Sequence, residues 1–140
     1  MLAGSARVKL DDKWRFVLPV KFRADAGAVM YFAKGDQGQL QLLTVDAYQA
    51  EVERHRAAFA EGRDTDRWAM RTFMETVEGV DLDSQSRVSI LERLRGYASL
   101  RDRGELQLIG MFDRLEVWDL ETYEVSRSRA AQEGLAVGGR

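Results

Sequence analysis

The chain has 140 residues, 45% of them hydrophobic and 31% charged, with a single proline; this is a globular composition with length for one shared core and not for two independent ones. It has no cysteine and one histidine, His55, which excludes disulfides and thiol chemistry, leaves too few groups for a zinc site or a histidine-based catalytic set, and gives no reason to expect a metal or cofactor. A formal charge of −2 argues against a generally basic nucleic-acid binder, and the lack of any bilayer-length apolar run or apolar leader predicts a soluble, cytoplasmic protein that meets no membrane.

Residues 6–10 alternate small or apolar with basic side chains, the period of a half-buried strand. Phe16, Val17 and Leu18 form a short apolar strand across the polar turn Asp11-Asp12-Lys13-Trp14-Arg15. Pro19 ends that strand and opens a short helix over residues 20–26, which Gly27 stops. Residues 29–33 and 40–43 predict a second hairpin around Gly35-Asp36-Gln37-Gly38, whose glycines would supply positive φ. Thr44 or Asp46 can cap a helix carrying Val45, Tyr48, Val52 and Phe59 at helical spacing, and Glu61-Gly62-Arg63 breaks it. A further helix after Asp64-Thr65 presents Trp68 or Ala69 with Phe73. The strand, turn, strand, short helix, strand, turn, strand unit then recurs over residues 76–118. A final helix over residues 119–132 mirrors the first linker helix, and residues 134–140 should fray.

The recurrence is visible residue by residue. Leu10-Asp11-Asp12-Lys13-Trp14-Arg15-Phe16-Val17-Leu18 aligns with Leu82-Asp83-Ser84-Gln85-Ser86-Arg87-Val88-Ser89-Ile90 at an offset of 72, and Phe22-Arg23 aligns with Leu94-Arg95. Gly35, Leu40, Leu42 and Tyr48 meet Gly110, Leu115, Val117 and Tyr123 at an offset of 75, which puts a three-residue insertion near residues 100–104. Two copies in so short a chain predict a duplicated module with pseudo-two-fold symmetry and a common core. Charge is divided unevenly: residues 7–23 carry six basic against two acidic side chains, and residues 46–81 nine acidic against five basic. An acidic waist between more basic repeat cores would let one face attract phosphate, although ordinary solvated charge explains the same counts.

Each copy is built on an aspartate followed four residues later by an arginine. Asp11 and Asp83 can accept hydrogen bonds from amides further along the turn and hold it shut. Arg15 and Arg87 then start the outgoing strands, where a planar five-donor fork can grip a phosphate or read the O6 and N7 edge of guanine. Lys13, Lys9 and Arg7, on the same or the adjoining strand, could contact the nucleic-acid backbone. The plainer reading of each pair is a salt bridge locking a hairpin. Tyr48, Phe73, Trp118 and Tyr123 read more readily as core than as a ligand platform, and His55 as surface or partly packed.

The segment residues 10–23, its second copy and Leu106 to Asp119 (LQLIGMFDRLEVWD) resemble the MraZ family of bacterial transcriptional regulators over about residues 5–125. The resemblance implies an α+β fold of two tandem AbrB-like swapped-hairpin units sharing one core and flanked by helices: a first repeat with its linker helix at 5–63, a second repeat at 64–130 and a flexible tail at 131–140. It also implies a nucleoid-associated, ring-like homo-oligomer that binds short direct repeats in double-stranded DNA, in the promoter of the division and cell-wall gene cluster. Asp11 and Arg15, and Asp83 and Arg87, are the motif positions, with Lys13 at the family's usual lysine. The family usually has glycine just before each motif arginine, where this chain has Trp14 and Ser86; a left-handed backbone there would strain both. Trp14 could touch DNA or pack at an interface between subunits. The alternative function is an antitoxin-like protein-interaction module whose C-terminal segment, residues 125–140, folds on a partner. An enzyme ranks last.

Overall fold

The structure is a computed structural model that describes residues 1–134. In the first half β1 (Ser5–Lys9), β2 (Arg15–Val17), α1 (Val20–Ala26), β3 (Val29–Lys34) and β4 (Leu40–Leu43) lead into α2 (Val45–Ala60) and α3 (Asp64–Thr76). The second half repeats the order with β5 (Glu78–Asp81), β6 (Arg87–Ser89), α4 (Glu92–Arg95), β7 (Glu105–Gly110), β8 (Arg114–Asp119) and α5 (Leu120–Gln132). The fraying expected beyond Gly134 concerns residues outside the described ones.

The strand order of the main sheet is β1-β7-β8-β4-β3-β5, and β2 pairs with β6 in a separate two-stranded ribbon. Exchanging each strand for its counterpart in the other half returns the same order reversed, so the pseudo-two-fold passes between β8 and β4. The first hairpin expected from the sequence does not form. Asp11 N–H donates to Arg15 O at 2.8 Å and closes the turn, but β1 then joins β7 and β2 joins β6, both partners lying in the other half. The reason is burial: alternation places Ala6 and Val8 on the sheet's core face, while Phe16 and Val88 oppose each other on the ribbon and complete the same core from the other side.

That core takes Leu18, Phe22, Met30, Phe32, Leu40 and Leu42 from the first half and Ile90, Leu94, Leu106, Leu108, Leu115 and Val117 from the second. At about 25 cal/mol for each Å² of apolar surface removed from water, a face built this way outweighs the preference of any short strand for its sequence neighbour. The opposite face of the sheet is covered by α2 and α3, through a smaller cluster of Ala33, Leu43 and Ala47 with Tyr31, Tyr48, Phe73 and Val77.

Local chemistry repeats with the fold. Thr44 caps α2, its hydroxyl accepting from Ala47 N–H at 3.1 Å, and Asp119, 75 residues on, caps α5 by accepting from Thr122 N–H at 3.0 Å. In the β3–β4 turn only Gly38 takes positive φ (+88°). Gly35 is needed instead for close approach, because a Cβ there would lie 2.3 Å from the Gln39 side chain. The α2 face also differs from expectation: Val45 and Phe59 are exposed, whereas Ala47 and His55 are buried. His55 is 7% exposed and stacks on Phe73 with ring centroids 4.8 Å apart, so it is a core residue of the helical layer. Trp68 lies outward under the Arg71 guanidinium.

Candidate nucleic-acid interface

The two aspartate turns are near copies. Asp11 Oδ1 accepts from the Lys13 and Arg15 amides at 2.8 and 2.9 Å, and its Oδ2 accepts from Arg15 Nε at 2.8 Å. Asp83 does the same with the Gln85 and Arg87 amides, both at 2.9 Å, and with Arg87 Nε at 2.6 Å. One carboxylate thus closes the turn with one oxygen and orients the arginine with the other. For Asp11, partial burial pushes the carboxyl up, but the Arg15 and Lys13 amides and the Arg15 guanidinium outweigh it and hold it below the ordinary 3.8. The Arg87 amide has the largest effect at Asp83, which is also held below 3.8.

Trp14 and Ser86, the residues before the arginines, have φ of +59° and +58°. Their left-handed backbone turns each carbonyl towards the other half: Trp14 O accepts from Ile90 N–H at 2.9 Å and Ser86 O from Leu18 N–H at 2.8 Å. These bonds extend the β2–β6 ladder at both ends. The conformation that disfavours a side chain is therefore what ties the two turns into one ribbon. Trp14 accommodates it by packing against the main core and lying under the Arg95 guanidinium, 4.6 Å from ring centroid to Cζ.

In the ribbon Arg15 faces Ser89, Phe16 faces Val88 and Val17 faces Arg87. Phe16 and Val88 point into the core, so Arg15, Val17, Arg87 and Ser89 share the outer face. The two arginines are diagonal neighbours about 7–8 Å apart. Each is held through Nε, and among the described residues its two Nη groups have no partner, so the terminal edge of each fork is free. Lys13 is exposed at the first turn's tip.

The structure does not bring Arg7 and Lys9 to this face. They alternate with the core-facing Ala6 and Val8, and their side chains leave the sheet on the α5 side, where Arg7 lies 3.5 Å from Glu124. Arg23 and Arg95, aligned in the repeat yet not singled out as site residues, belong beside the ribbon. Arg23 Nε donates to Leu18 O at 2.8 Å and Arg95 Nε to Ile90 O at 3.0 Å, the residues that end the two ribbon segments. Their place at matching positions of both copies was the available signal.

A cavity of about 360 Å³ lies under α2 and α3, lined by Glu51, Arg54, His55, Phe73 and Arg114 among others. Its charges satisfy one another: Glu51 accepts from Arg54 at 2.6 Å and lies 3.1 Å from Arg114. Among the described residues no cluster of histidine and carboxylate side chains could hold a metal ion, and no helix is long and apolar enough to cross a membrane.

Residues 72–137 match the family described as "MraZ protein, putative antitoxin-like". Over its second half, this chain is similar to the MraZ family. The match covers β5 to α5 with the second aspartate turn, and the first half carries the same order of elements and the same turn. The chain's α+β fold with an antiparallel sheet is consistent with that similarity.

Proposed function

We propose that this chain is a sequence-specific DNA-binding regulator that acts as a homo-oligomer on direct repeats in a promoter, with its two halves, residues 5–63 and 64–130, working as AbrB-like units of one body. The observation that carries the reading is the ribbon: two arginines on one outer face, each pre-oriented by an aspartate and each with its fork end free. A two-stranded ribbon is a shape the major groove admits, and an arginine already fixed through Nε loses less rotational freedom on gripping a base or phosphate. Lys13, Arg23 and Arg95 supply flanking charge to the same surface. A single ribbon neutralises few phosphates, so several copies on one duplex are needed for firm binding by a chain of net charge −2.

The test is anisotropy of a labelled duplex carrying G-rich direct repeats against a scrambled duplex, at two salt concentrations. Wild type should prefer the repeats and bind them more tightly at low salt, and Arg15→Ala should lose about 1–3 kcal/mol per base contact with the mass of the assembly unchanged. Equal binding by Arg15→Ala and wild type would refute the assignment. The family description favours a second reading, in which the same scaffold binds a toxin-like protein. Co-purification of a neighbouring gene product, with no preference between the duplexes, would support that instead.

A further inference from the structure

The main sheet ends on β1 and β5, and among the described residues neither has a neighbour on its outer side. Along β1 the even-numbered residues bond to β7: Gly4 O accepts from Gly110 N–H at 2.7 Å, and Leu10 N–H donates to Gly104 O at 2.9 Å. The N–H and C=O groups of Arg7 and Lys9 therefore face outward. Along β5, Leu82 N–H donates to Ala28 O at 2.9 Å and the register gives Val80 and Glu78 the same role, leaving Gly79 and Asp81 facing outward. Each edge is closed at one end by a basic side chain from a short helix, Lys21 on Ser5 O and Arg93 on Thr76 O. What stays open is a two-residue template for another strand.

The edges are equivalent under exchange of the halves but opposite in charge. β1 carries Arg7 and Lys9, whereas β5 carries Glu78 and Asp81. Glu78 is engaged by Arg93 at 3.2 Å, while Lys9 and Asp81 are exposed and have no ion-pair partner among the described residues. We propose that β1 of one copy pairs along β5 of the next, head to tail, with Arg7 and Lys9 beside Asp81. Joining two β1 edges or two β5 edges would instead set like charges opposite each other, which is unfavourable.

The geometry fits the charge. All pairings in the six-stranded sheet are antiparallel, so β1 and β5 run in opposite directions, and a copy added in the same orientation continues the antiparallel pattern. The outward residues of both strands alternate with core-facing ones, Ala6 and Val8 on β1 and Val80 and Leu82 on β5. Their side chains thus emerge on the same face of the joined sheet. Gly79 has no side chain to obstruct that approach. The contact is heterologous, so repetition closes a ring or extends a filament, with every ribbon in the same orientation.

The inference rests on the proposal that the chain assembles with itself and is independent of DNA binding. Light scattering coupled to gel filtration tests it on the full chain, with thermal melting to verify folding. Wild type should have a multiple of the 15.9 kDa chain mass. Asp81→Lys and Lys9→Glu should each raise the dissociation constant at least ~10-fold, and the double variant, in which the Lys9–Asp81 pair is reversed, should recover assembly relative to either single variant. Arg7→Pro, which removes an outward N–H and no bond to β7, should also dissociate the assembly. A wild type that stays monomeric at every concentration would overturn self-assembly and this interface together. A wild-type assembly that tolerates the single variants or Arg7→Pro, or single-variant losses without rescue in the double, would overturn the edge pairing alone.

Discussion

Trp14 and Ser86 occupy the same left-handed backbone in the two turns, φ +59° and +58°, so replacing each with glycine separates backbone strain from packing. A left-handed residue with a Cβ costs about 1–2 kcal/mol, and glycine relieves this while giving back roughly 0.5–1 kcal/mol of chain entropy. Ser86 has little packing to lose, so Ser86→Gly should stabilise the fold by about 0.5–1 kcal/mol. Trp14 is half-buried and lies under Arg95. Removing roughly 100 Å² of buried indole costs about 2.5 kcal/mol, and the lost cation–π contact costs about 0.5–1 kcal/mol more. Trp14→Gly should therefore destabilise by about 2–3 kcal/mol after the backbone gain. Urea unfolding of both variants beside wild type reads the difference, with midpoints moving in opposite directions and unchanged slopes. If Trp14→Gly proves as stable as Ser86→Gly, the indole contributes nothing across the two halves and the account of this turn is wrong.

The Asp11→Asn, Asp83→Asn double variant should show a flatter acid limb. Both carboxyls are held below the ordinary 3.8, so their contribution is fully present above about pH 4 and is lost as pH falls through the lower folded value; urea midpoints measured from pH 5 down to pH 2 check this. His55 behaves in the analogous sense. Burial, then the Arg54 charge, keeps its imidazole below the ordinary 6.5 despite Glu51, so stability should fall as pH drops below about 6.5. His55→Phe should flatten the pH dependence of the melting temperature between pH 7 and 5, and an unchanged slope would show that His55 titrates alike in both states.

The aspartate turns were legible in the sequence because their chemistry is local: a carboxylate reaches amides two and four residues ahead, and the recurrence at an offset of 72 identifies both turns. The Thr44 cap, the Pro19 entry to α1 and the glycine break before α3 were legible for the same reason. Strand partners were not. Residues 5–9 and 15–17 read as one hairpin, but β1 lies against β7, about a hundred residues away, because an alternating strand presents the same edge to any partner and burial of the shared core selects among them. That selection put Arg15 and Arg87 on one ribbon, turned Arg7 and Lys9 to the other face, and buried His55 against Phe73. The sequence by itself determined two oriented arginines; only the tertiary structure, by exchanging strands between the halves to close one core, decided that they share a surface.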